Sequence, residues 1–278
     1  MTPPIRAARA VELEALWPAV ASDHLFRDIE AFRAYHSEHS WALRVTDRGE
    51  AALLGRWKCH LDVLAMRGVW APQRDVEAFA QDAFAVAREH GFLRVLSPLL
   101  PVDLLGPYRA AGMRTAERIV AIQGHPELVL PTGPPLGVVI REGGPADLEA
   151  VARIDALSFE EFWSWSAEDF AGFLADERLA VAEASGGAII GYTLATVSRG
   201  SATLTRLATA PHVRRAGVGR ALLAESASWA VRSGAITLAL CTQEQNSASR
   251  GLYASAGLTE IEERYAFAIS EARMEVQT

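Results

Sequence analysis

Cysteine is scarce: Cys59 and Cys241 are the only two in 278 residues, and they lie far apart. Such a pair is no disulfide framework, and a reducing, cytoplasmic compartment fits it best. No apolar run approaches the ~18 residues of a membrane-spanning helix. The opening MTPPIRAARAVELEALW lacks the basic-then-apolar layout of a secretion signal. There is no basic tract and the net charge is −7, which argues against nucleic acid as the main partner. His36 and His39 stand three apart on an expected helix without acidic or cysteine company. They read as an exposed pair, and no metal site is expected. What the chain does have is apolar residues, half of its composition. That is ample for a core, and the length fits one large or two ordinary domains.

Self-comparison divides the chain. IRAARAVELEAL (5–16) lines up with IREGGPADLEAV (140–151), so that Ile5, Arg6, Leu13, Glu14 and Ala15 recur as Ile140, Arg141, Leu148, Glu149 and Ala150. In the same order AALLG (51–55) echoes GAIIG (187–191), and LDVLA (61–65) echoes LTRLA (204–208). HGFLRVL (90–96) then echoes SGAITLA (233–239), and YRAAGM (108–113) echoes YASAGL (253–258). The ordered series predicts two copies of one domain, 1–124 and 138–278. The proline- and glycine-rich segment 125–137 between them reads as a linker.

Each copy has the same expected layout: a leading strand, a helical region (150–157 and 167–174 in the second copy), and strands near 180–183, 188–197 and 202–209. A loop and a helix follow, then a strand at 236–241, a short helix at 247–256 stopped by Gly257, and extended chain over 258–269. This is an α/β (α+β) class with a mixed sheet.

VRRAGVGRALLA (213–224) joins the third of these strands to the next helix. That helix is expected to bury Leu222, Leu223, Ala227, Ala230 and Val231, and to stop at Gly234. Its first turn has open backbone N–H groups and the positive end of the dipole. Gly217 and Gly219 permit close approach, and Arg214, Arg215 and Arg220 add positive charge. The loop suits a phosphate or pyrophosphate; the bland alternative is a tight turn with solvated arginines. A Walker A loop does not fit, because Arg220 and Ala221 follow Gly219. A dinucleotide fingerprint does not fit either, because Leu222 stands where a third glycine belongs and no acidic residue ends the next strand.

The segment Arg214-Arg215-Ala216-Gly217-Val218-Gly219 resembles the Arg/Gln-x-x-Gly-x-Gly/Ala signature of the GCN5-related N-acetyltransferases, the GNAT family. LTRLATAPHVRRAGVGRALL resembles that family's strand, bulge and pyrophosphate loop. LALCTQEQNSASRGLYASAGLTEI resembles its second conserved block, with Asn246, Tyr253 and Gly257 at the family's spacing. The likeness spans about 138–270. FEEFWSWSAEDF (159–170) resembles the acceptor-side loop of ribosomal-protein alanine N-acetyltransferases.

The resemblance implies two tandem GNAT-like domains, each a mixed, mostly antiparallel sheet with a splayed parallel strand pair flanked by helices. It implies acetyl-CoA as co-substrate, bound where the parallel pair parts. Leu207, Ala208 and Thr209 would meet the pantetheine arm. The N–H groups of the loop Arg214, Arg215, Ala216, Gly217, Val218, Gly219 and Arg220 would hold the pyrophosphate, and Asn246 and Arg250 would touch the cofactor from the short helix. The amine of a small molecule or peptide would attack the thioester directly. Tyr253 would protonate the departing thiolate; its alternative is core packing.

An alkyl ammonium of pKa ~10 is about one part in a thousand neutral at pH 7, so a base is wanted. The family often places a carboxylate on one of the splayed strands. The corresponding positions here, Thr203 and Cys241, are not acidic. Glu160 and Glu161 in the acceptor loop are candidates, against solvated surface carboxylates. Glu244 is expected to cap the short helix, and Cys241 to be a small buried apolar group. Phe162, Trp163 and Trp165 would wall the acceptor, or serve as core.

Carried back through the repeat, Gly217 falls opposite Arg74 and Gly219 opposite Val76. Asp75 reads as an N-cap, and the Asn246 counterpart falls near Pro101 or Val102. Tyr108 stands opposite Tyr253. The first copy therefore reads as degenerate, without a cofactor loop, and serves as cover for the acceptor cleft or as a built-in dimer partner. The leading reading is an N-acetyltransferase, monomeric or homodimeric, with no membrane or nucleic-acid partner. The alternatives are a non-catalytic acyl-CoA binding or sensing module and a protein-binding scaffold.

Overall fold

A computed structural model describes residues 4–23, 25–58 and 60–271; Cys59 and the outermost ends of the expected domains lie outside the described residues. In chain order the first elements are β1 (Arg6–Ala7), α1 (Leu13–Ser22), α2 (Ile29–Glu38), β2 (Leu43–Val45), β3 (Ala51–Trp57), β4 (His60–Trp70) and α3 (Gln73–Glu89). Then come β5 (Arg94–Leu96), β6 (Leu100–Pro101), α4 (Gly106–Ala110), β7 (Arg114–Gly124), β8 (Val138–Glu142), α5 (Leu148–Ser158) and α6 (Ala167–Phe173). The chain ends with β9 (Arg178–Ala184), β10 (Ile189–Ser198), β11 (Ser201–Thr209), α7 (Val218–Arg232), β12 (Thr237–Gln243), α8 (Ser247–Ser255) and β13 (Thr259–Glu271). The expected helices and strands of the second copy are all present, within a few residues.

Two compact units result: residues 1–118 with 265–278, and residues 119–264. These differ from the boundaries at 124 and 138. In the first unit the sheet runs β1-β2-β3-β4-β5, and β5 pairs antiparallel with the end of β13, Ile269 opposite Leu96. In the second unit it runs β8-β9-β10-β11-β12, and β12 pairs antiparallel with the end of β7, Leu240 opposite Ile122. By the repeat, β7 after α4 is the counterpart of β13 after α8. Each unit is thus completed by the other copy's last strand. The core agrees: Ala266 and Ala268 are fully buried in the first unit's cluster around α3, and Val120 and Ile122 are buried in the second unit's cluster around α7.

Among the described residues each unit contains a parallel pair, β4–β5 and β11–β12, beside antiparallel neighbours. The linker reading is altered at 126–129, where Val129 is buried in the second unit's core. In α7 the alanines 221, 224, 227 and 230 let the helix lie close on the sheet with Leu222 and Leu223; Val231, expected to be buried, is exposed because its position faces away. His36 is also not exposed. It is buried, with Nε2 3.0 Å from the Ala8 carbonyl, while His39 stacks on Tyr35.

Candidate active site

Strands β11 and β12 pair only from Ser201–Leu204 to Thr237–Leu240. Beyond that point, among the described residues, Arg206–Thr209 pair only with β10, and Cys241–Gln243 only with β7. The register slips between Leu194 and Ala195, which places a β-bulge at Thr205, the first residue past the fork. A bulge adds one residue and turns the strand locally. Here it leaves one edge of Thr205–Thr209 without a strand partner.

Past Thr209 the chain takes eight residues, 210–217, to reach α7. Arg215 is left-handed at φ 66° and Gly217 at φ 89°. Gly217 occupies the N-cap of α7 and offers no side-chain cap, so the first turn's N–H groups point into the loop. A Cβ at Gly219 would lie 3.7 Å from Leu252 and Thr209, ordinary contact, so packing alone does not demand glycine there. Arg214, Arg215 and Arg220 are exposed, and Arg220 donates to Ser255 Oγ at 2.6 Å.

Across the fork, Cys241 is exposed rather than buried. Surrounding protein pushes its thiol up, and the Arg206 charge offsets part of that. Tyr253 of α8 is buried, and burial with Cys241 nearby holds its phenol well above the ordinary range. It therefore stays protonated at neutral pH. Asn246 is the N-cap of α8, its Oδ1 accepting from the Ser249 N–H at 3.1 Å. This corrects Glu244 as the cap; Glu244 instead offers its carbonyl to Arg250 at 2.9 Å. The Arg250 guanidinium is also taken by Glu260, at 2.5 and 3.2 Å.

A family model, the Acetyltransferase (GNAT) family, matches residues 148–258. The second unit is a GNAT-family domain. Solved structures of similar fold include a GCN5-related N-acetyltransferase from Sphaerobacter thermophilus, 17% identical with TM-score 0.65, covering 99% of this chain and 97% of that one. A tandem GNAT protein from the clavulanic acid biosynthesis pathway is 15% identical with TM-score 0.64, covering 84% of this chain and 82% of that one. A GCN5-related N-acetyltransferase from Kribbella flavida is 17% identical with TM-score 0.59, covering 96% of this chain and 71% of that one. No curated protein matches the sequence.

In the GNAT domain the acceptor-loop candidates separate by burial. Trp165 is buried against Phe170 and Phe173, so its ring is core rather than cleft wall. Phe162 and Trp163 are half-buried, edge to face at 4.8 Å. Glu160 and Glu161 are exposed at the start of a single 3-10 turn, Glu161–Trp163.

What anchors this loop escaped the sequence reading. Asp155 of α5 is fully buried and chelates Arg206, the residue after the bulge, at 2.8 and 2.9 Å. It also accepts the Trp165 N–H at 2.7 Å and the Tyr192 hydroxyl. Arg206 donates to the Trp163 carbonyl at 2.6 Å and lies over the rings of Phe159 and Trp165. A buried ion pair needs such extra bonds to offset its desolvation. This one ties the 159–165 loop to the fork. Asp155 and Arg206 are 51 residues apart, and no motif links them.

The first unit has no comparable loop. Only Ala71 and Pro72 separate β4 from α3, against eight residues in the GNAT domain. The N-cap of α3 is Pro72, not Asp75, and Asp75 sits buried in the first turn beside Arg74. The bulge in β4 falls at Arg67, between the pairs Leu53–Gly68 and Leu54–Met66. Arg67 thus matches Thr205, which shifts the apparent repeat of 61–65 on 204–208 by five residues. Tyr108 is buried like Tyr253 and its phenol is likewise raised by burial.

Proposed function

We propose that the second unit binds acetyl-CoA at the fork of β11 and β12 and transfers its acetyl group to a primary amine of a small molecule or peptide. The observation that carries this reading is the eight-residue connection from β11 to α7, with its left-handed Arg215 and Gly217 and an uncapped helix start. Oriented N–H groups at a helix N-terminus favour a bound anion, and the exposed Arg214 and Arg215 supply charge for a pyrophosphate. The unpaired edge of Leu207, Ala208 and Thr209 offers strand-like hydrogen bonds to an extended amide arm. Asn246 and Arg250 act in this scheme by fixing the start of α8 and thereby Tyr253, since the Asn246 Oδ1 and the Arg250 guanidinium are already engaged.

Acetyl-CoA supplies an activated acetyl thioester. The amine lone pair attacks its carbonyl carbon, the carbon–sulfur bond breaks, the departing thiolate takes the Tyr253 proton, and the proton lost by nitrogen restores Tyr253 by way of solvent. Phe162 and Trp163 form the accessible aromatic side of the acceptor cleft. A binding or sensing module without turnover is the second reading, favoured by the lack of a carboxylate at Thr203 and Cys241.

Calorimetric titration with acetyl-CoA, beside a Gly219→Glu variant, tests the proposal. One site per chain is expected, weakened at least ~100-fold by a carboxylate placed against the anion site. Two sites, or none, would overturn it. Tyr253→Phe should lower turnover ~100-fold or more while leaving acetyl-CoA affinity unchanged. Binding without any turnover on a broad set of amines would favour the sensing module.

A further inference from the structure

The unit lacks an acid at the two strand positions beside the fork, yet one carboxylate reaches the fork from elsewhere. Glu177 stands in the connection between α6 and β9, its own N–H held by the Phe173 carbonyl at 2.8 Å. Its carboxylate lies close to the hydroxyl of Thr205, the bulge residue where β11 leaves β12, which works against the effect of burial on the carboxyl. Its Oε2 is buried and has no hydrogen-bond partner. Leu179, two residues on, packs into the core cluster that also holds Val151 and Ile154 of α5, and Arg206, next to Thr205, reaches Asp155 of α5. Glu177 and Leu179 stand two apart and share a face, so Glu177 lies on the sheet face that carries α5 and the 159–165 loop.

A buried carboxylate oxygen with no donor is costly, and such groups call for a physical explanation. The nearby cations do not supply one. Arg178 is chelated by Glu225 at 2.8 Å through both nitrogens, and Arg206 is chelated by Asp155. The remaining charged groups around Glu177 are Asp176 beside it, Glu142 from β8 and Arg232 from α7. With Arg178 they line one cavity of about 710 Å³ that Glu177 shares. Arg232 lies 3.7 Å from Glu225.

We propose that Glu177 receives the ammonium group of the acceptor amine and takes its proton. This rests on the acyl-transfer reading of the same fork. The ammonium donates to Oε2, and one N–H proton passes to the carboxylate. The freed lone pair then forms the new bond to the acetyl carbon as the carbon–sulfur bond breaks. Glu177 afterwards releases its proton to solvent. The second proton lost by nitrogen restores Tyr253 by way of solvent, so one amide, one thiol and one net proton result. Burial raises the Glu177 carboxyl above the ordinary glutamate value, with the Thr205 hydroxyl opposing it and Asp176 adding to it. That direction makes it a stronger proton acceptor than a solvated carboxylate.

The test uses the full chain labelled with carbon-13 at the glutamate carboxyl, with the Glu177 resonance identified by its loss in Glu177→Gln. With saturating coenzyme A, which supports no turnover, n-butylammonium chloride is the probe. The Glu177 resonance should shift, and its titration midpoint should fall by about one pH unit, as expected for a carboxylate gaining a cationic partner. Tetramethylammonium, which has no N–H to donate, should not reproduce this. Thiol release from acetyl-CoA with n-butylamine should drop ~100-fold in Glu177→Gln, with loss of the acid limb of kcat/KM and unchanged acetyl-CoA affinity. Thr205→Val, which removes the hydroxyl that opposes burial, should move that limb to higher pH and serves if Glu177→Gln does not fold. An unmoved Glu177 resonance, or equal thiol release by wild type and Glu177→Gln, overturns the assignment. Absence of acetyl-CoA binding to the wild type would instead remove the acyl-transfer reading, whatever the resonance does.

Discussion

The two units share a fork and differ in what surrounds it. In both, a parallel pair parts beside a β-bulge, at Arg67 in one and Thr205 in the other. In the second unit the next residue is Arg206, whose guanidinium binds Asp155 and the acceptor loop. In the first it is Gly68, and the Trp70 indole lies over it so closely that a Cβ would come within 2.7 Å. After the strand the second unit spends eight residues on a loop with two left-handed positions; the first turns into α3 after two. The same fold therefore carries a buried ion pair beside one bulge and an aromatic ring over the residue after the other.

The largest expected effect addresses what the units share. Removing residues 265–278 takes from the first unit the strand paired with β5 and the fully buried Ala266 and Ala268. A domain's whole stability is only ~5–15 kcal/mol, so hydrogen exchange should show the first unit unprotected. Retained protection in β2–β5 would mean that the exchanged strand is dispensable. Next, Asp155→Ala strands the Arg206 charge in a nearly dry setting and should cost ~3–5 kcal/mol. A thermal melt measures this, and pairing Asp155→Leu with Arg206→Met should recover much of it. A smaller loss, ~1–3 kcal/mol of overpacking, is expected from Gly68→Ala, read by the same melt, because the Trp70 ring must move. The smallest effect is a null one. Arg74→Gly with Val76→Gly should create no second acetyl-CoA site by calorimetry, since the connection before α3 remains six residues too short to form a loop (two against eight).

Much of the candidate site was readable because its parts are local. Gly217 is conspicuous because a left-handed N-cap favours glycine, and Gly257 because it stops α8 at φ 85°. Asn246 is expected at the cofactor from its spacing, and in the structure it caps α8, since an Asx residue before a helix serves first as its cap. Trp165 looked like cleft wall because an aromatic run in a loop has no periodicity to say which ring turns inward; the bond from its N–H to Asp155 decides that. Glu160 and Glu161 drew notice as acids in the right segment, whereas Glu177 carries no local signal. Its interest comes only from Thr205 across the sheet and from an oxygen that burial leaves without a donor.

By itself, the amino-acid sequence determined the family, the duplication, nearly every element of the second copy, and the loop that one copy has and the other lacks. These are set by turn residues, caps and periodic apolar positions, which act within a few residues. Tertiary structure alone decided which strand completes which sheet, because a strand's alternation encodes a buried face but not the identity of its hydrogen-bonding neighbour. It likewise decided the Asp155–Arg206 pair and the reach of Glu177 to the fork, because charges far apart in sequence find their partners only after the sheet has brought their strands and helices together.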